Sequence, residues 1–220
     1  MKFDYDNIVF RMLNKLVDCV CVSFVWVLCC LPVVTLGAAS SALYYTVHKS
    51  IRGGRGYVLR SFFKAFRDNF KQATLCWLVI LLIQIVFLLD AILMRQQLMA
   101  GNSIGLLLYF FLVAILFVTG WCCVLFPYIA RFANTVKQTL KNAVLIELRH
   151  LPWSLLLLLI LLAVLFLTWL IPPLIFLLPA FMFLLYDVIL ERIFRQYMSK
   201  EDLEREMELE KLDKREDAFR

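Results

Sequence analysis

Apolar positions along the chain run in long blocks rather than in alternation or in three-to-four-residue stripes. Four blocks stand out at about 73–94, 104–130, 153–171 and 174–190. Each is close to or above the ~17–25 residues a helix needs to cross a hydrocarbon core of about 30 Å. Pro172-Pro173 separates the last two, because tandem prolines cannot continue a helix and suit a tight turn. An earlier block, 12–47, is interrupted at Leu31-Pro32-Val33-Val34-Thr35-Leu36-Gly37, where Pro32 disfavours helix just before it and Thr35 can cap a new one. The pattern predicts an all-α, polytopic transmembrane helical bundle over 1–199. Its helices are expected near 8–31, 36–50, 73–95, 104–130, 153–171 and 174–198, with amphipathic cytoplasmic helices at 57–72 and 134–149. A charged cytoplasmic tail, 200–220, follows.

Composition agrees with lipid as the solvent: hydrophobic residues are 63% and charged residues 18% of the 220, and the mean hydropathy is +0.82. An ordinary globular chain has roughly 45–50% and about 25%. The net charge of +6 is unevenly placed, since the tail holds nine acids against six bases and the remaining 199 residues carry +9. That excess lies between the apolar blocks, the signature of loops retained on the cytoplasmic side. It excludes nucleic acid as the natural partner. Six crossings put both termini inside, with 22 of the 23 Lys and Arg cytoplasmic and Arg95 alone outside. If 12–47 is a single span, five crossings move Lys2, Arg11 and Lys15 outside. The six-helix count satisfies the charge rule better.

Small residues fill Gly37 to Ala42, with Gly37 and Ser41, and Ala38 and Ala42, at i and i+4. Such a face lets helix backbones approach closely in lipid, so this helix is expected inside the bundle or against a second copy. Phe62, Phe63, Phe66 and Phe70 form one helical stripe in 57–72, with Lys64, Arg67, Asp68 and Lys71 largely opposite. Phe62, Phe63, Phe66, Phe70 and Lys71 are therefore the candidate contacts for the headgroup layer or a partner. A fainter echo, Val136 to Leu145, parallels Phe66 to Leu75 and suggests a parallel repeat. Arg52-Gly53-Gly54-Arg55-Gly56 reads as a basic turn, without the spacing of a phosphate loop. Ser199 to Asp202 resembles a capping box opening a charged helix, with Glu201 and Arg205, and Glu210 and Lys214, at i,i+4.

Leu31 to Tyr45, with its Pro-Val-Val-Thr-Leu-Gly segment and following small residues, together with the phenylalanine-rich 62–74, resembles the YesL family of bacterial membrane proteins, a domain of unknown function. The likeness covers roughly 10–195. It implies a bacterial plasma-membrane protein whose genes lie near carbohydrate ABC importers, and it supplies no catalytic or ligand residues.

The chemistry-bearing residues are few. The seven cysteines lie in or beside apolar blocks and, with only His48 and His150 for company, show no zinc spacing. No cleavable leader is expected, and no cofactor, metal or catalytic arrangement is visible. Asp18, Asp90 and Asp187 are expected near membrane faces, paired with neighbouring bases, while Gln84 is deep and expected to bond across helices. Thr35, Ser40, Ser41, Tyr44 and Gln84 are the candidates to line a polar cavity. The first functional expectation is a non-enzymatic accessory or regulatory subunit associated with carbohydrate ABC import; the alternative is an independent small-solute transporter or channel, and self-association is compatible with either.

Overall fold

A computed structural model describes residues 8–54, 56–198, 203, 204 and 208. The N-terminal Lys2, Arg55 of the basic turn and the tail's capping box and i,i+4 pairs lie outside the described residues. The described residues form helices and turns and no strand. The helices are α1 (Ile8–Cys30), α2 (Leu36–Thr46), α3 (Val58–Met99), α4 (Leu107–Arg131), α5 (Val136–Arg149), α6 (Leu151–Leu170) and α7 (Leu178–Phe194). Four segments, Leu13–Cys30, Val58–Met99, Ser103–Arg131 and Leu151–Leu170, are long and apolar enough to cross a membrane.

Pro32 ends α1 as the sequence predicts, because the residue before a proline is pushed out of the helical region. Thr35 stands at the N-cap of α2, yet its hydroxyl turns backward and donates to the carbonyls of Cys29 and Pro32. It thus satisfies the open end of α1 rather than the start of α2. Trp77 of α3 donates its indole N–H to the Val33 carbonyl at 2.7 Å and fixes the turn against the long helix.

α2 is the inner helix, touching α1, α3, α4 and α7. Its small face is buried throughout, from Gly37 to Leu43. A Cβ on Gly37 would lie 2.7 Å from Trp77 Cβ and 2.8 Å from the Ala73 carbonyl oxygen, so only glycine permits this approach of α2 to α3. α2 continues through a π-helical turn, Val47–Arg52. Gly54 and Gly56, both at positive φ, then reverse the chain into α3.

The segments expected as 57–72 and 73–95 are one continuous helix of 42 residues, about 63 Å at 1.5 Å per residue. Its first turns pack on the π turn, where Ser50 Oγ donates to Ser61 Oγ at 2.9 Å and Phe62 joins the core with Ile51, Val58 and Ala65. Pro172-Pro173 open a short 3-10 turn, Pro172–Phe176, so α7 starts at Leu178 rather than 174. Two apolar clusters result. One gathers α1, α2, α6 and α7 together with Val58, Phe62 and Ala65 of α3, the second half of α4 and Ile146 of α5; the other joins α3, α4 and α5 around Ala38 of α2.

Candidate functional site

Tyr44, His48 and Arg52 recur at four-residue intervals along α2 and its π turn, and Asp187 and Glu191 do so along α7. The two stripes meet at the end of the bundle where Arg131 closes α4. His48 Nδ1 lies 2.8 Å from Asp187 Oδ1 and 3.6 Å from Glu191 Oε1. Arg52 Nη1 reaches Asp187 Oδ2 at 2.5 Å. Arg131 holds Glu191 with two nitrogens, Nε at 2.7 Å from Oε1 and Nη2 at 3.0 Å from Oε2. Tyr44, fully buried, donates its hydroxyl to Glu191 Oε1 at 3.2 Å.

Both carboxylates are buried, Asp187 at 0% and Glu191 at 4% exposure, and each has its own guanidinium. Buried charges are tolerable when paired and hydrogen-bonded in this way. The sequence placed Asp187 near bases on its own helix; its actual partners are 135 and 139 residues earlier.

His48, Asp187 and Glu191 present donor atoms within 4.8 Å of one another, close enough to hold a metal ion. The arginines argue against that use. A divalent cation there would compete for carboxylates already engaged and would sit close to two fixed positive charges. The arrangement ties three helices together at one end and makes a lock.

A third buried acid has a different setting. α5 begins with a capping box in which Gln138 reaches back to Thr135, and it is pinned by Asn134 and Asn142, which both donate to the Tyr128 hydroxyl at 2.8 and 2.9 Å. Gln72 of α3 donates to the Asn134 carbonyl and to Thr139 Oγ1, each at 2.8 Å. The buried face of α5 is Thr139, Ala143, Ile146 and Glu147. Glu147, at 2% exposure, thus occupies a core position that the helical period would fill with an apolar residue.

Its carboxylate lies against Gly120, where a Cβ would stand 2.8 Å from Oε1. Gly120 is 11 residues, about 16 Å along the axis, before the end of α4. Oε2 is buried with no hydrogen-bond partner among the described residues. Burial pushes the Glu147 carboxyl up to about 8 from its usual 4.5.

The residues singled out from sequence as cavity candidates are bonded separately. Thr35 caps α1, Ser40 accepts from the Trp26 indole at 3.4 Å, and Ser41 donates to the Ala38 carbonyl. Tyr44 belongs to the ion-pair lock. Gln84 donates across to Thr119 Oγ1 at 3.0 Å, on the interface of α3 and α4. Of the contact candidates, Phe62 is turned into the core and Phe66 is half-buried, stacked on it; Phe63, Phe70 and Lys71 are exposed. Sequence reading passed over His48, Arg52, Arg131, Glu191 and Glu147 as site residues. The i,i+4 spacing of the two stripes is the available signal for His48, Arg52 and Glu191.

Neither the curated proteins nor the solved structures contain a match to this chain. The composition and helices are those of a membrane protein, and residues 19–91, from the middle of α1 to the far half of α3, match the model of a family described as a protein of unknown function, DUF624.

Proposed function

We propose that the chain is a YesL-type bacterial plasma-membrane protein with six crossings and both termini cytoplasmic. In this reading it is a non-catalytic accessory or regulatory subunit for carbohydrate ABC import. The family match over 19–91 supports the first part, because it spans the Pro32-to-Tyr45 segment and the phenylalanine stripe. The fifth and sixth crossings are α2 with its π turn and α7. Both are short, but four longer helices shield much of their surface from lipid, so neither has to match the full hydrocarbon thickness on its own.

The observation that carries the subunit reading is the length of α3. At about 63 Å it is roughly twice a hydrocarbon core of ~30 Å, so one end of it extends past the membrane. That end displays Phe63 and Phe70 with Lys64, Arg67 and Lys71, an aromatic and basic surface suited to a protein partner at the headgroup level. The ion-pair lock beside it makes a firm platform rather than a rocking gate. Gentle purification from the native membrane is expected to recover importer subunits in stoichiometric amount, and Phe63→Ala with Phe70→Ala to lose them. The alternative, a small-solute transporter, draws on the buried acid beside Gly120. Solute flux by the purified chain in liposomes, with no importer subunit recovered, would establish it instead.

A further inference from the structure

We propose that the Glu147 carboxyl is a proton-binding site of the bundle, and that its protonation decides how tightly α5 packs on α4. The inference stands apart from the identity of any partner. It rests on three facts of geometry: the acid is almost wholly buried, one oxygen has no hydrogen-bond partner among the described residues, and the space it fills exists because position 120 is glycine.

Among the described residues, the groups around it supply no counter-charge. From α4 come the thiols of Cys122 and Cys123, which feel the Glu147 charge but carry no positive charge to answer it. From α7, the Tyr186 hydroxyl donates to Cys123 Sγ at 3.4 Å and to the Leu157 carbonyl. From α6, Ser154 donates to the backbone carbonyl of Glu147, not to its carboxylate. From α3, the contact is the neutral Gln72, which is spent on Asn134 and Thr139. On its own helix Arg149 is exposed with its guanidinium over the Tyr197 ring, and the adjoining His150 also bonds Tyr197. An acid so placed keeps a proton where its exposed counterparts have lost theirs.

The direction of the coupling follows. In the unfolded chain Glu147 loses its proton near 4.5 and in the bundle near 8. The folded state therefore binds the proton more tightly, and packing is at full strength below 4.5. It weakens as pH rises between those values and is lowest above 8. Loss of the proton leaves a bare carboxylate against Gly120, and the relief available is for α5 to lift off α4 and admit water. That movement would disturb the Tyr128 and Gln72 contacts that pin the start of the same helix.

The test uses the full chain in lipid nanodiscs. Infrared spectra taken across the pH range are expected to show a protonated-carboxyl carbonyl band that titrates near 8 and is missing in Glu147→Gln. Heat denaturation is expected to give wild type and Glu147→Gln equal stability at pH 4.5, with the variant the more stable at pH 8, because glutamine mimics the protonated acid and cannot ionise. Comparing the two chains isolates Glu147 from His48 and His150, which are common to both. A band that survives in Glu147→Gln, the absence of such a band from wild type, or a glutamine variant that is less stable at every pH or fails to fold would overturn the proposal.

Discussion

Asp187 and Glu191 on one side and Glu147 on the other are equally hidden, at 0, 4 and 2% exposure, yet they meet opposite surroundings. The two acids of α7 are met by Arg52, Arg131, His48 and Tyr44, drawn from α2, its π turn and the end of α4. Glu147 is met by a glycine, and its Oε2 has no hydrogen-bond partner among the described residues. Partner supply, not burial, therefore separates them. The first region is a charge-matched lock that holds helices in one arrangement. The second is a single charge without a match, which a proton can neutralise.

Arg131 offers the largest break in that comparison. Arg131→Ala strands Glu191 in the core, and removing one member of a buried pair costs about 3–5 kcal/mol. Heat or denaturant unfolding in detergent should report a loss of that size. The double variant Arg131→Met with Glu191→Met removes both charges and should recover most of it, because apolar replacement of a whole buried pair is often neutral or stabilising. A double variant as weak as the single would mean that the network contributes more than charge balance.

Next in size are the two glycines that let helices approach, which sharpen the contrast. Gly37→Ala drives a methyl into a backbone carbonyl and the Cβ of Trp77, neither of which can swing aside, and overpacking of that kind costs about 1–3 kcal/mol. Gly120→Ala meets only the far end of the Glu147 side chain, which can turn away. Its cost is expected to fall below the overpacking cost of about 1–3 kcal/mol, because the atom it meets can move. Measured in the same detergent, the order should be Gly37 above Gly120. The reverse order would place Glu147 under a constraint that its missing hydrogen bond does not suggest.

These two regions were legible in the sequence to very different degrees. The long apolar blocks, the break at Pro32 and the burial of Gly37 to Ala42 are local, because chain length, a missing N–H and side-chain size act within a turn or two. Gln84 was read as a deep group bonding across helices, and it does so through Thr119. The lock was only half visible: the stripes Tyr44, His48, Arg52 and Asp187, Glu191 have helical spacing, but nothing in a single sequence joins segments 135 residues apart. α5 falls within the helix expected at 134–149, but the pairing of Glu147 with Gly120 depends on how it folds back on α4, which no periodicity encodes.

The smallest expected effect concerns Gln84, a polar group that is neutral and so falls between the two regions. Its amide donates to Thr119 Oγ1 at 3.0 Å and more distantly, at 3.5 Å, to the Ile115 carbonyl, while Thr119 donates to that same carbonyl at 2.8 Å. Gln84→Leu removes the amide, yet Thr119 keeps its own bond and no charge is stranded. Interhelical hydrogen bonds in lipid average about 0.6 kcal/mol, so the loss should be of that order. Unfolding midpoints of Gln84→Leu and wild type should then nearly coincide. A cost approaching that of Arg131→Ala would mean that an uncharged pair between α3 and α4 holds the bundle as firmly as the ion pairs do, and charge matching would no longer distinguish the lock.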